Sequence, residues 1–371
     1  MSAFEPVHEA FQAYCDADPT YSAQLAVHVG ADRVVDCTGG GAMVPDSLLP
    51  VYSSSKGATA VVVALLVQRG QLDLDATVAS YWPEFARAGK GSVTVRQLLS
   101  HQAGLVGVDG GFTWDELLAH APLAERLAAQ RPFWHPGQAF LYHALTIGTL
   151  ADELVRRIDG RTVGEALRDD VTAMRGIEVW MGTPSSEDHR VVEAQPPSVD
   201  ELTAFLAESP GALGGGDDIT SQSLPPGNPM EILSRVNDVQ LRRVGPPAAG
   251  ALASARGLAS LYASLRHEIG GQPRVLTDDT IAQMSQIQVS GIELGTGLEA
   301  RFGVIFQAPC SPRWPFGTVR AFGHDGAGGS LAFCDPTHDL AFGYTVQRLP
   351  LPGGMDARAV ELARVVRQCL R

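Results

Sequence analysis

The sequence predicts an α/β (α+β) fold: an antiparallel sheet flanked by helices and built from both ends of the chain, with an all-α domain inserted. Three observations lead there. Strand-like runs fall near residues 24–37 and 301–346, toward the two ends. Between about residues 72 and 248 the pattern is helical, interrupted by Pro/Gly/Ser-rich stretches. The 371 residues, 45% of them hydrophobic, can bury a large core. The expected division is residues 1–70 plus 250–371 as the α/β domain and 71–249 as the mostly helical insert.

Phe4, Val7, Phe11 and Tyr14 recur at helical spacing and predict an amphipathic helix over residues 4–16. Runs at 24–29 and 33–37, separated by Gly30-Ala31-Asp32, predict a β-hairpin. A helix over 54–69, closed by Gly70, carries the run ATAVVVALLVQ. A helix apolar nearly all round belongs between layers. Further helices are expected near 95–100, 114–130, 144–157 and 163–174, with loops over 182–199 and 209–229. The second loop, with Gly214-Gly215-Gly216 and Pro225-Pro226-Gly227, is long for a connection and is a candidate lid. A helix over 254–267 restarts the ordered pattern. Strands follow at 301–307, 318–322, 330–334 and 340–346, and a helix over 355–370 ends the chain.

Twenty-eight basic against 41 acidic residues leave a net charge of −13. Without a basic footprint, nucleic acid and anionic membranes are not expected partners. No apolar run approaches the ~20 residues of a membrane span. The start, MSAFEPVHEAFQAY, has neither a basic n-region nor an apolar h-region, so a cytoplasmic location is expected. Cys15, Cys37, Cys310, Cys334 and Cys369 are odd in number and scattered, which favours free thiols over zinc or a disulfide framework. Only two lysines occur, Lys56 and Lys90. An ammonium can lose its proton and act as a base, whereas a guanidinium effectively cannot.

Three segments can carry chemistry. In Tyr52-Ser53-Ser54-Ser55-Lys56, Ser53 and Lys56 stand three apart, on one face of a helical turn. A hydroxyl there sits at the positive end of the helix with its own N–H free for an oxyanion, and a desolvated lysine can take its proton. A serine cap followed by a snorkelling lysine would show the same spacing. In Phe140-Leu141-Tyr142-His143-Ala144, Tyr142 could be a tyrosinate-type base if Lys56 lowered its pKa, or a plain amphipathic tyrosine at a helix start. Phe322-Gly323-His324-Asp325-Gly326-Ala327-Gly328-Gly329-Ser330 joins two strand-like runs. Glycines this dense allow a substrate close to the backbone, although His324 and Asp325 could be ordinary turn residues.

Together and in this order these segments resemble the serine β-lactamase superfamily, in the branch holding class C β-lactamases, D-alanyl-D-alanine carboxypeptidases and β-lactamase-like carboxylesterases. Ser53–Lys56 resembles the Ser-x-x-Lys signature. Tyr142-His143-Ala144 resembles the Tyr-x-Asn element and His324-Asp325-Gly326 the Lys-Thr-Gly strand. Residues 70–75, 98–105 and 342–344 look family-like too. The resemblance implies a β-lactamase/transpeptidase-like fold.

It further implies that Ser53 attacks an acyl carbonyl, that Lys56 and Tyr142 share its proton, and that the N–H groups of Ser53 and Ala327 form the oxyanion hole. His324, Asp325, Gly326 and His143 are then expected to meet substrate. No metal or organic cofactor is implied. Ala144 replaces the asparagine that binds a β-lactam's amide, and His324 the lysine that holds its carboxylate. These departures look more like the esterase branch and its acyl-transferring relatives. A small ester is therefore the expected substrate, hydrolysed or passed to an amine or alcohol acceptor. β-Lactamase or D-peptidase action and a catalytically silent binding protein are the competing readings.

Overall fold

Five strands, β1 (Ala23–Val29), β2 (Asp32–Gly39), β8 (Phe322–Asp325), β9 (Leu331–Asp335) and β10 (Leu340–Val346), form the main sheet. Their order is β2-β1-β10-β9-β8, with every neighbour antiparallel. The computed structural model describes residues 3–41, 43–208, 219, 221–225, 235–351 and 353–370. The sheet is thus assembled from both ends of the chain, as expected. Alternation along β1 sorts its side chains. Leu25 and Val27 face α1 (Glu5–Ala17) and the C-terminal helix, in a cluster with Phe11, Phe342 and Leu362. Ala26 faces the other way, against Ala255 and Ala259.

Helix α2 (Ser55–Gln68) is buried from Ser55 to Leu66, as its all-round apolar run predicts. Its cluster joins Leu98, Leu150, Leu154 and Leu167 of the helical segment to Phe322, Ala332 and Ala341 of the sheet. That segment carries α3 (Val78–Tyr81), α4 (Val95–Leu99), α5 (Trp114–Ala119), α6 (Ala121–Ala129), α7 (Thr146–Asp159), α8 (Val163–Leu167), α9 (Val199–Glu208) and α10 (Val239–Val244). Next come α11 (Ala255–Ser264), α12 (Asp278–Ser285) and α13 (Ala357–Cys369). Helix α11 lies so close on β10 that a Cβ at Gly343 would stand 2.4 Å from the Ala255 carbonyl oxygen.

Several expectations need correction. The helix expected over 114–130 is two, because His120 adopts φ +62° and Pro122 opens α6. The strand expected over 318–322 begins only at Phe322, since Asp335 accepts the Thr318 N–H (2.8 Å) and hydroxyl (2.7 Å) and holds a turn there. The run at 301–307 contributes only the end of β7 (Glu299–Phe302), paired with β6 (Val289–Ile292), and Ile305 at φ +67° ends it. A small sheet of β3 (Leu49–Pro50), β5 (Leu252–Ala253) and β4 (Val179–Trp180) was not expected, and β4 lies inside the segment read as all-α. The candidate lid, 209–229, falls for the most part outside the described residues. All five cysteines are free thiols. Among the described residues, no helix is long and apolar enough to cross a membrane.

Candidate active site

A short helical turn, Tyr52–Ser54, leads into α2, and Tyr52 enters it at φ +47°, in the left-handed region. Three serines follow in a row, and their surroundings separate them. Ser55 Oγ donates to the Tyr52 carbonyl and accepts the Ala251 N–H. Ser54 Oγ donates to the His324 carbonyl at 3.1 Å and lies 2.9 Å from Ser330 Oγ, which donates to the Val51 carbonyl. Both hydroxyls tie the turn to its neighbours. Ser53 Oγ instead lies 3.0 Å from Lys56 Nζ and is only partly buried. Of the three hydroxyls it is the one that faces the lysine.

Lys56 is fully buried. Its Nζ donates to the Ala248 carbonyl at 2.8 Å and stands 4.9 Å from the centre of the Tyr142 ring. Desolvation drives its pKa well below the usual lysine range, while the Asp325 charge pulls it partly back up. An amine whose charged form is so destabilised, beside a serine hydroxyl, is chemically able to take that hydroxyl's proton.

Tyr142 comes from the segment leading to α7. The tyrosinate expectation fails: burial raises the phenol above its ordinary pKa, and the Ser53 hydroxyl offsets this only in part. Tyr142 is a neutral phenol that donates a proton before it can accept one. Its oxygen lies 3.5 Å from His324 Nε2. His324 Nδ1 donates to the Asp325 carbonyl at 2.7 Å, which leaves Nε2 as the acceptor. Burial, then the charge on Lys56, lowers the His324 pKa well below the histidine range, so the ring is neutral.

His324 and Asp325 stand in β8, not in a loop. Asp325 faces inward; burial raises its carboxyl, and Oδ2 accepts the Met355 N–H at 3.0 Å. Gly326 and Gly328 fit where no side chain could: a Cβ would come within 2.3 Å of the Val51 carbonyl oxygen and of the Tyr52 ring, respectively. The turn at 326–329 is thereby pressed against the turn that carries Ser53. Among the described residues, the Ala327 N–H has no backbone acceptor.

His143, expected to meet substrate, has both ring nitrogens engaged by the protein itself. It is fully buried; Nδ1 donates to the Leu141 carbonyl (2.7 Å) and Nε2 accepts the Leu105 N–H (3.0 Å). Three residues outside the expected set border the site. His101, at φ +65°, accepts the His143 N–H at Nδ1 and packs 5.2 Å from the Tyr142 ring. Glu293 accepts the Tyr142 N–H, and Arg313 donates to Glu293. His101 lies within the family-like stretch 98–105, whereas nothing in the sequence marks Glu293 or Arg313.

This fold and this serine–lysine–tyrosine cluster define a serine hydrolase of the β-lactamase type. The Beta-lactamase family model matches residues 9–366, and the chain belongs to that family. It is 32% identical to Esterase/beta-lactamase LipL of Mycobacterium tuberculosis over 363 residues, 93% of this chain and 81% of that protein. EstA of Arthrobacter nitroguajacolicus Rue61a superposes with a TM-score of 0.90 at 40% identity, covering 99% of this chain and 96% of the other. A family VIII carboxylesterase superposes with a TM-score of 0.86 at 32% identity, covering 100% and 98%.

Proposed function

We propose that the protein is a serine carboxylesterase that hydrolyses small esters through an acyl-Ser53 intermediate. The observation that carries this is the fully buried Lys56 amine, its pKa driven down, 3.0 Å from the Ser53 hydroxyl at the head of α2. Ser53 Oγ bonds to the acyl carbon as its proton passes to neutral Lys56. The oxyanion is met by the N–H groups of Ser53 and Ala327, each worth ~3 kcal/mol in such sites. The neutral Tyr142 phenol protonates the leaving alkoxide and regains a proton from the Lys56 ammonium. Water then attacks the acyl carbon by the reverse path, giving its proton to the same pair and releasing the acid.

An ester substrate suits the departures from the β-lactamase pattern. Ala144 offers no side-chain hydrogen bond to an amide, and neutral His324 gives a carboxylate little attraction. Losing a hydrogen bond to a charged group costs ~1.5–3 kcal/mol, roughly tenfold to a hundredfold in rate. The names of EstA, the family VIII carboxylesterase and LipL support the same reading. The test compares kcat/KM for p-nitrophenyl butyrate and a chromogenic cephalosporin on one preparation, with and without an amine or alcohol acceptor. A wide margin for the ester is expected. Equal or faster cephalosporin turnover overturns the reading, and acyl release that waits for the acceptor replaces hydrolysis with acyl transfer.

A further inference from the structure

We propose that Glu293 is a positioning residue that fixes the Tyr142 phenol in its working place without touching the substrate. The proposal rests on the reading of Tyr142 as a proton carrier. Tyr142 stands on residues 139–143, which have no regular secondary structure, so its position must be imposed from outside. On one side His101 does this, accepting the Leu141 N–H at its carbonyl (3.3 Å) and the His143 N–H at Nδ1 (3.0 Å). On the other side stands the β6–β7 ribbon. Glu293 Oε2 accepts the Tyr142 N–H at 3.2 Å, and the next residue, Leu294, donates its N–H to the Phe140 carbonyl at 3.0 Å.

Glu293 is 1% exposed, and a carboxylate so buried stays only where donors meet it. Its Oε1 accepts from Thr296 Oγ1 at 2.7 Å and from Arg313 Nη1 at 2.5 Å. Arg313 lies 4.5 Å over the Trp314 ring, Trp314 stands 5.3 Å from Phe302, and Phe302 stacks on the Tyr142 ring at 5.8 Å and 6°. The contacts therefore close a circuit from the Tyr142 backbone through Glu293, Arg313, Trp314 and Phe302 to the Tyr142 ring. Backbone and ring of one tyrosine are held by one assembly, with Glu293 at the joint. Displacing a proton carrier by about 1 Å can cost on the order of a hundredfold in rate.

The test is a double-mutant cycle on p-nitrophenyl butyrate hydrolysis. Glu293→Ala is expected to lower kcat about tenfold or more with KM changed by less than about twofold. In a Tyr142→Phe background the same substitution should cost less than about twofold, because the group it positions is gone. A general packing defect would lower both backgrounds alike. An unchanged kcat in Glu293→Ala, or losses that multiply, overturns the proposal. Unchanged kcat in Tyr142→Phe alone instead overturns the proton-carrier reading, and the positioning role with it. If Glu293→Ala has no cooperative melting curve, Arg313→Met opens the circuit at a partly exposed side chain, and the same cycle decides.

Discussion

At the scale of single residues, the three consecutive serines make a sharp case. Ser54 and Ser55 spend their hydroxyls on neighbouring carbonyls, and only Ser53 faces Lys56. A fluorophosphonate probe should add once per chain by intact mass, survive Ser54→Ala, and vanish in Ser53→Ala. Adduct remaining in Ser53→Ala would place the nucleophile elsewhere. Lys56 sets a pH dependence. Its pKa in the fold lies below the ordinary lysine value, and the amine must be neutral to take the serine proton. kcat/KM should therefore fall with decreasing pH through that lowered pKa, and a flat acid limb would remove Lys56 from the base role. Lys56→Ala, Tyr142→Phe and the double variant should show similarly low kcat, since members of one proton-transfer unit lose non-additively. The Ser53–Lys56 pair was legible because three residues make one helical turn. Tyr142 was legible as a residue, but the direction of its pKa shift was not, for burial raises it and the Ser53 hydrogen bond offsets this only in part. Glu293 and Arg313 left no trace in the sequence, since their role exists only once the β6–β7 ribbon and the Arg313 segment close on a segment some 150 residues upstream.

At the scale of elements, buried polar anchors decide stability. Lys90, the second of the two lysines, is structural: its Nζ donates to the carbonyls of Arg87, Ala128 and Gln130, tying the turn before α4 to the end of α6. Lys90→Met would strand three carbonyls, at ~1–3 kcal/mol for each left unsatisfied. A loss of several degrees in Tm is expected, with Ser53 still labelled in the folded fraction; an unchanged Tm would show that the carbonyls find other donors. His143 joins α7 to the loop after α4. Its pKa falls from 6.5 to about 4 through burial, so between those values the unfolded chain binds a proton that the fold refuses. Stability is thus lost as pH falls through that window, and burial lowers His101 and His324 in the same direction. The urea midpoint should drop between pH 7 and 5, and an equal midpoint at both would refute this. Elements with strong periodicity, such as α1, α2 and β10, were legible almost to their ends. The breaks were not: the turn held by Asp335 and the kink at His120 depend on side chains and backbone angles that periodicity does not record.

At the scale of the whole molecule, one apolar cluster runs from the helical segment through α2 into β8, β9 and β10. We propose that the sheet-bearing part, residues 1–70 and 250–371, and the segment 71–249 unfold together because they share α2. Calorimetry should give one transition with van't Hoff and calorimetric enthalpies in agreement, whereas two resolved transitions would mean independent domains. The strand order carries one more consequence. Between its two neighbours in the sheet, β1 pairs with β2 at once but with β10 only across some three hundred residues of chain. During synthesis a ribosome therefore releases Ser53 and Lys56 long before β8 and the Ala327 turn exist. On the proposed mechanism, a nascent chain would hold the attacking group without the half-site that receives the charge of the attacked carbonyl. Under the proposed mechanism, reactivity toward an ester would arrive only with the last strands to be translated.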